Sequence, residues 1–296
     1  MASLAEQIQT PLSSLDQAIE LSIRVLRFIP NLVSNHADKR GYRILVSHTG
    51  GTTKYMRPIN LNLFYFEAER MSREATNLKR VLLKIKSGEE SFSVEESKII
   101  DSTIYTLQQS YAVDMDLLIN SNAARKHVGN RFEELLRLIF TEAGVTNVNE
   151  TLAIPYGDPT EPDVYKCEND IILSPYPVAR STSQGLDPKE IVVSLKTSSK
   201  DRMGKIFIDK MLLKNFVKQE QPLIGIFLND VQRKGNNNIS FTLVSGLFMV
   251  YTQFLIELDG VYYLDVPPAA RVKPWSGHIF PFSKLITQDL RTLLTS

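Results

Sequence analysis

The chain has 296 residues, a length that suits one large domain or two small ones. It is 43% hydrophobic and 23% charged, as is ordinary for a globular protein. Its formal net charge of +1 argues against a protein that coats nucleic acid through a uniformly basic surface. A site-specific DNA-binding protein stays compatible with this charge if Lys and Arg are concentrated on one face.

Three segments in the first 125 residues have the apolar spacing of helices: 13–35, 62–86 and 93–120. Ser93, followed by Glu95 and Glu96, is typical of a helix N-terminus. Residues 36–60 are polar and rich in turn formers. The region 1–125 is therefore predicted to be mainly helical.

The pattern changes in the region 126–296. An amphipathic helix is predicted from Gly129 to Gly144, a residue type suited to a helix C-terminus. The segments after it are predicted as strands near 147–154, 170–174 and 190–196, a helix at 200–219, a strand at 223–228, a loop at 232–238, a strand at 239–244, and helices at 245–258 and 282–294. The order helix, strand, strand, strand, helix, strand predicts an α/β fold with a mixed central sheet.

The single cysteine, Cys167, excludes an intramolecular disulfide and a cysteine-rich zinc site. No histidine lies near it in the sequence, which favours a structural cysteine over a nucleophile. No stretch approaches the roughly 18 apolar residues of a membrane span, and the first ten residues lack the features of a signal peptide. We therefore expect a soluble, cytoplasmic protein without a membrane partner.

The most informative motif lies where two neighbouring strands place a carboxylate and a lysine. Asp170 leads the apolar run Ile-Ile-Leu, and Lys196 ends the run Ile-Val-Val-Ser-Leu. Alone, Lys196 would be interpreted as a lysine that leaves the sheet into solvent. Two further acids, Glu133 and Asp209, lie on predicted helices on either side of these strands and change that interpretation. Glu134 points about 100° away from Glu133 round the helix and is predicted to be a surface residue.

This set of residue types points to phosphodiester chemistry. Carboxylate oxygens are hard ligands that suit Mg²⁺. A metal ion between them lowers the pKa of bound water and offsets the charge of a phosphate, while a lysine positions the water or neutralises developing charge. We therefore predict a site in which Asp170, Asp209 and Glu133 hold Mg²⁺ and Lys196 acts on the water.

A dense charge cluster, Lys200-Asp201-Arg202, follows Lys196 at the start of the next predicted helix. Lys and Arg donate to guanine O6 and N7, and Asp accepts from cytosine N4, so this triplet can read consecutive G·C pairs in the major groove. The competing interpretation is a solvated charge cluster at a helix N-terminus.

With these motifs the chain resembles type II restriction endonucleases of the PD-(D/E)xK superfamily. In that superfamily an Asp starts one strand and an acid-x-Lys motif ends the next, whereas this sequence has Ser194 in place of the acid. The branch that cuts at CCGG and CCNGG cores shares this departure and carries the acid on the following helix, at the position of Asp209. The branch usually has Glu there, so Asp209 is a shorter substitute.

The charge cluster also resembles that branch, which carries Lys-x3-Arg-Glu-Arg or a variant one residue wider. Lys200 stands where Arg is usual and Asp201 where Glu is usual, and the tight spacing resembles the CCNGG readers more than the CCGG readers. Two residues are candidates for the first acid of the motif. Pro162-Asp163 supplies a literal PD, whereas Asp170 is followed by the apolar run expected of a core strand.

The segment Lys54-Tyr55-Met56-Arg57-Pro58 suggests a further resemblance, because CCNGG readers of this branch flip the central base pair into protein pockets. Flipping needs a flat or apolar platform and a hydrogen-bonding neighbour, and Tyr55 and Arg57 are of the right type. The competing interpretation is an ordinary loop.

The resemblance implies a restriction-endonuclease-like αβββαβ core in 126–296, with a region 1–125 that serves DNA contacts or dimerisation. It implies a bacterial Mg²⁺-dependent endonuclease that cuts both DNA strands at a palindromic site, leaves 5′-phosphate ends, and acts as a homodimer or as a tetramer of paired dimers. The alternatives are a non-catalytic DNA-binding protein on the same fold and a repair or recombination nuclease.

Overall fold

The computed structural model describes residues 4–49, 51–118, 121–199, 202–243 and 245–295. The helices are α1 (Leu4–Gln9), α2 (Leu15–Leu32), α3 (Ala68–Lys86), α4 (Val94–Leu118), α5 (Ser121–Glu142), α6 (Met203–Val217), α7 (Ser245–Phe254), α8 (Phe282–Lys284) and α9 (Leu290–Thr295). The strands are β1 (Asn35–Lys39), β2 (Tyr42–Thr49), β3 (Thr52–Tyr55), β4 (Ile59–Asn60), β5 (Thr146–Tyr156), β6 (Asp163–Ser174), β7 (Ile191–Lys196), β8 (Leu223–Phe227), β9 (Val231–Lys234), β10 (Asn238–Phe241), β11 (Gly260–Tyr263) and β12 (Ile279–Pro281). Short 3₁₀ turns lie at Gly235–Asn237, Pro268–Arg271 and Trp275–Gly277, and one π-helical turn joins α8 to α9.

The predicted helices of the N-terminal region are confirmed, with start signals that match their sequences. The Ser14 side chain accepts from the Gln17 amide at 3.1 Å and caps α2. Before α4, the Ser93 amide donates to Glu96 at 2.9 Å and the Glu96 amide donates to the Ser93 hydroxyl at 3.1 Å. This reciprocal capping box satisfies two amides that would otherwise lack a partner.

The segment 36–60 forms a small antiparallel sheet, which its polar composition did not predict. Strand β2 pairs with β1, β3 and β4. The turn between β1 and β2 is Arg40-Gly41, and both residues have positive φ (54° and 81°), as the turn of a tight hairpin requires. Tyr42 and Ile44 of β2 are buried, so this strand has an apolar face.

The predicted mixed α/β architecture is confirmed. The central sheet has six strands in the order β12-β11-β8-β7-β6-β5. Strands β5, β6 and β7 pair antiparallel, whereas β7, β8, β11 and β12 pair parallel. Strand β7 is buried on both faces: Ile191 and Val193 pack in the core shared with α4 and α5, and Val192 packs in the core shared with α6 and α7.

Further segments also differ from the sequence-based assignments. Strands β11 and β12 were not predicted, because runs of four and three residues carry too little periodicity. The predicted loop at 232–238 is part of a hairpin, in which β9 pairs antiparallel with β10.

Helix α5 begins at residue 121 rather than at Gly129 and crosses the predicted boundary near residue 125. The larger of the apolar cores includes Ile8, Val128 and Leu290, so it draws on both sides of that boundary. The division of the chain into 1–125 and 126–296 stays a prediction. Within the described ranges, no helix is both long enough and apolar enough to cross a membrane.

Candidate active site

Asp170 lies at an irregularity of β6. Val148 pairs with Ile172 and Glu150 pairs with Asn169, so two residues of β6, Asp170 and Ile171, stand opposite the one residue of β5 between them. This is a β-bulge, which locally twists a strand and redirects a side chain. The ladder between β6 and β7 begins at Ile171, so Asp170 stands directly at its end.

Asp170 and Lys196 form a close ion pair. The Lys196 Nζ lies 2.6 Å from Asp170 Oδ2, and the same oxygen accepts from the Leu195 amide at 2.6 Å. Lys196 Nζ also donates to the Leu195 carbonyl at 2.8 Å. The two side chains are 15% and 19% exposed, so the pair is largely shielded yet open to a cleft.

Glu133 faces this pair from α5. It lines a cleft of about 610 Å³ together with Asp170 and Lys196. Burial, and after it the negative charge of Asp170, raise the pKa of Glu133 to about 7, and Lys196 opposes the shift. Its neighbour Glu134 points elsewhere, as predicted, but it is part-buried and accepts from the Leu12 amide at 3.0 Å, so it tethers the N-terminal segment.

Asp209 lines a second cavity, which Asp170 and Lys196 also border. This cavity measures about 260 Å³ and is lined by Asp170, Lys196, Ser194 and Asp209, among other residues. The carboxylate of Asp209 is held by Lys205, whose Nζ lies 2.7 Å from each oxygen. Ser194 is buried in β7. It occupies the strand position at which an acid-x-Lys motif has its acid, and it offers only a small hydroxyl there.

The acids fit a divalent cation by their chemistry, since carboxylate oxygens are the ligands that Mg²⁺ prefers. Asp170 borders both cavities, with Glu133 in one and Asp209 in the other. In the part of the chain that the structure describes, no three His, Cys, Asp or Glu side chains are gathered closely enough to hold a metal. The ammonium groups of Lys196 and Lys205 are the cations that the two aspartates contact.

The structure separates the two residues proposed as the first acid. Asp163 is exposed at the start of β6, where it pairs with Tyr156, and it is absent from the described lining of both cavities. Seven residues of extended chain place it about 23 Å from Asp170. It is Asp170 that contacts Lys196.

Of the predicted charge cluster, only Arg202 can be placed, because Lys200 and Asp201 lie outside the described residues. Arg202 immediately precedes α6, is exposed, and lines the larger cleft. Its amide donates to the Ser199 carbonyl at 3.2 Å. Arg202, the last residue of the cluster, therefore lies at the rim of the cleft that contains Lys196.

Tyr55 and Arg57 lie in different surroundings. Arg57 lines the larger cleft and makes a two-pronged ion pair with Asp116, with nitrogen–oxygen distances of 2.9 and 2.7 Å. Tyr55 is 43% exposed at the end of β3, and the Arg233 guanidinium lies over its ring at 5.0 Å. Of these two residues, Arg57 is the one that reaches the cleft.

Sequence reasoning missed Asp116, Lys205 and Gln232. The spacing of Lys205 and Asp209, four residues apart on one helix, is a local signal that could have shown their ion pair. Asp116 and Gln232 have no such signal, because the fold brings them to Arg57 and to the cleft from distant parts of the chain.

No protein-family model matches the chain, and no curated protein matches its sequence. Among solved structures, the chain is similar to the type IIP restriction endonuclease Kpn2I, with a TM-score of 0.70 at 15% identity over 99% of this chain and 97% of that one. A weaker overlap is with restriction endonuclease PspGI in a complex with substrate DNA, with a TM-score of 0.43 at 14% identity over 77% of this chain and 92% of that one. The likeness to Kpn2I shows that this chain has a restriction-endonuclease fold.

Proposed function

We propose that this chain is a type II restriction endonuclease that depends on Mg²⁺ and hydrolyses both strands of DNA at a palindromic site. The observation that carries the proposal is the Asp170–Lys196 pair, which lies at a β-bulge on the floor of a cleft bordered by Glu133 and Arg202. A carboxylate beside a lysine at adjacent strand ends, within this fold, suits phosphodiester hydrolysis.

The chemistry of the chain's own residues follows from their contacts. Mg²⁺, held by Asp170 and Asp209 with Glu133 nearby, would supply charge neutralisation at the phosphate and acidify water. Lys196, whose Nζ lies 2.6 Å from Asp170 Oδ2, would orient the attacking water and stabilise developing charge. Glu133, with its pKa raised to about 7, can accept or release a proton near neutral pH. In-line attack would leave 5′-phosphate and 3′-hydroxyl ends.

Recognition is proposed for the charge cluster beside the cleft. Arg202 and Lys200 would donate to guanine and Asp201 would accept from cytosine, which suits a CCGG or CCNGG core. Base flipping against Tyr55 and Arg57 is proposed for a CCNGG core only. Arg57 is supported by its place in the cleft, whereas Tyr55 would need to exchange its contact with Arg233 for a base. A fluorescent base analogue at the central position that gains no emission on binding would contradict flipping.

A homodimer is proposed because a two-fold axis matches a palindrome and supplies one active site to each strand. Dimers could pair further into a tetramer. Sedimentation of the protein with and without a site-bearing duplex distinguishes monomer, dimer and tetramer.

The experiment that tests the function is digestion of an unmethylated phage genomic DNA with Mg²⁺ and with EDTA. We expect discrete Mg²⁺-dependent bands, and sequencing of their ends gives the site and the stagger together. A smear would instead favour a repair or recombination nuclease, which acts without a fixed site.

Intact DNA that the protein nevertheless binds would favour the second candidate, a non-catalytic DNA-binding protein. Two observations favour this candidate: Ser194 occupies the strand position of the acid in an acid-x-Lys motif, and Lys205 holds the carboxylate of Asp209. Binding that is insensitive to Mg²⁺ would strengthen that candidate further.

A further inference from the structure

Two turns rich in positive charge lie side by side beyond the cleft. One is the β1–β2 turn with Lys39 and Arg40, and the other is the β9–β10 hairpin with Arg233 and Lys234. Lys39 Nζ donates to the Asn238 side chain at 3.2 Å, and Arg40 donates to the Ile239 carbonyl at 3.2 Å. We call Lys39, Arg40, Arg233 and Lys234 the basic surface.

A small apolar core fixes this surface in place. Tyr42 and Ile44 of β2 pack against Val231 and Ile239 of the hairpin. The rings of Tyr42 and Phe241 meet edge to face, with centroids 6.1 Å apart. The two turns therefore present their charges as one rigid unit rather than as independent loops.

The hairpin part of the basic surface, which carries Arg233 and Lys234, has no acidic residue in its own sequence. The hairpin segment from residue 231 to residue 241 contains no Asp or Glu. On β1, Asp38 is bound through both oxygens by Arg43, each at 2.8 Å, and this guanidinium lowers the pKa of Asp38. The four cations of the surface are exposed.

The hairpin is continuous with the rim of the cleft. Val231 and Gln232, at its first two positions, line the cleft with Lys196 and Arg202. Arg233 and Lys234 follow directly and are exposed, and Arg233 also covers the ring of Tyr55. A polymer that fills the cleft at Lys196 and runs past Gln232 would next meet these cations.

We infer that the basic surface binds the sugar-phosphate backbone of the DNA duplex that occupies the cleft, on the flank of the site being cut. Exposed Lys and Arg side chains at strand ends suit phosphate contacts, which fix position and carry no base preference. This inference rests on the proposed function, in which DNA is the ligand of the cleft. The surface places four exposed cations close together in a chain with a net charge of only +1, and such a local concentration of positive charge attracts a polyanion.

The test is the salt dependence of DNA binding, measured by fluorescence anisotropy of labelled duplex DNA in EDTA, where no metal-dependent cleavage occurs. Each phosphate contact contributes about 0.9 to the slope of log affinity against log salt concentration. We expect Arg233→Gln with Lys234→Gln to reduce that slope by about 2, and to weaken binding to site-bearing and arbitrary duplexes by the same factor. Lys234→Gln alone, which leaves the Arg233–Tyr55 contact intact, is expected to reduce the slope by about 1.

The matched control is Lys79→Gln with Arg80→Gln on α3, which removes the same charge from two exposed positions that are absent from the described cleft lining. An unchanged slope in the hairpin variants, or an equal change in the control, overturns the inference while leaving the proposed function intact. A wild-type protein that binds but never cuts DNA, with the slope falling as expected, supports the surface and removes the endonuclease proposal. A wild-type protein that binds no duplex at any salt concentration overturns both.

Discussion

At the scale of single residues, the cleft and the smaller cavity beside it have charged side chains that form ion pairs. Asp170 contacts Lys196, Asp209 contacts Lys205, and Arg57 contacts Asp116. Each pair offsets part of the cost of removing charge from water. Burial is the largest cause of the raised pKa of Glu133, and the charge of Lys196 opposes it only in part.

The first residue-scale prediction concerns Lys196. Lys196→Ala is expected to retain specific DNA binding and to lose cleavage by about 10³-fold, because it removes the only group proposed to orient the water. Single-turnover cleavage and anisotropy measure the two properties separately. Lys214→Ala, on the far part of α6, is the control and should cut normally. Near-normal cutting by Lys196→Ala would contradict the assignment of the site.

The second residue-scale prediction concerns Glu133 and the pH dependence of stability. Its pKa rises from 4.5 in an unfolded chain to about 7 in the folded protein, so folding favours the protonated carboxyl. Stability therefore falls as pH increases from about 4.5 and the loss is complete above about 7. Glu133→Gln removes this loss, so the melting temperature of the variant relative to wild type should be higher at pH 8 than at pH 5.

Thermal melts without metal at the two pH values measure the effect. Glu142→Gln, at the exposed end of the same helix, is the control, and the difference for Glu133→Gln should change more between the two pH values than the difference for the control. A pH-independent difference for Glu133→Gln would show that the folded protein does not perturb this carboxyl.

At the scale of elements, α5 carries Glu133 and ends in a glycine that its geometry requires. Gly144 has φ +84°, its amide donates to the Thr141 carbonyl at 3.0 Å, and the Val145 amide donates to the Phe140 carbonyl at 2.9 Å. This is a Schellman motif, which satisfies carbonyls at the end of a helix. The motif turns the chain directly into β5, so it helps to set how α5 lies against the sheet.

Gly144→Ala is expected to lower the free energy of unfolding by about 1–2 kcal/mol, because a left-handed conformation strains a residue with a Cβ. The added Cβ would also lie 2.8 Å from Lys86 Cγ, so that side chain must move. Gly129→Ala, within the same helix and with no atom within 4 Å of its Cβ, should instead raise stability by about 0.5–1 kcal/mol. Urea unfolding of both variants measures the two changes in the free energy of unfolding. Changes of the same sign would refute the role of the left-handed turn.

Sequence patterns predicted the elements that have strong periodicity or a continuous apolar run. Strand β7 was recognisable because all its residues before Lys196 are buried. Strands β1 and β3 were not recognisable, because their residues are mostly exposed and polar and their pairing depends on β2. At the site, Asp170 and Lys196 were identified from local sequence, whereas the bulge that sets Asp170 depends on its register with β5.

At the scale of the whole molecule, buried polar contacts tie the N-terminal sheet to the far end of the chain. Asp265 is 1% exposed and accepts from Tyr42 at 2.9 Å and from Asn60 at 2.8 Å. Burial raises the pKa of Asp265 to about 6, and these two donors oppose the shift. The small sheet is thereby part of the same folded unit as the central sheet.

Tyr42→Phe is expected to lower the free energy of unfolding by about 1–3 kcal/mol, because it leaves a buried carboxylate oxygen without its donor. The loss should be larger at pH 8 than at pH 5, since the group with a raised pKa is charged only at the higher value. Urea unfolding followed by circular dichroism and by fluorescence of Trp275 should give one shared transition. Tyr156→Phe, whose side chain is 57% exposed, is the control. Two separate transitions in the wild-type protein would contradict a single unit.

The bond between Tyr42 and Asp265 joins residues 223 positions apart, and this has a consequence for synthesis on the ribosome. A nascent chain that has displayed β2 cannot form this bond until Asp265 has emerged. The cleft draws its walls from Arg57 through Gln232, so its last wall also follows β2 by a long stretch of chain. A chain released before Gln232 therefore lacks the complete cleft, and a chain released before Asp265 lacks the bond that ties the small sheet to the central one.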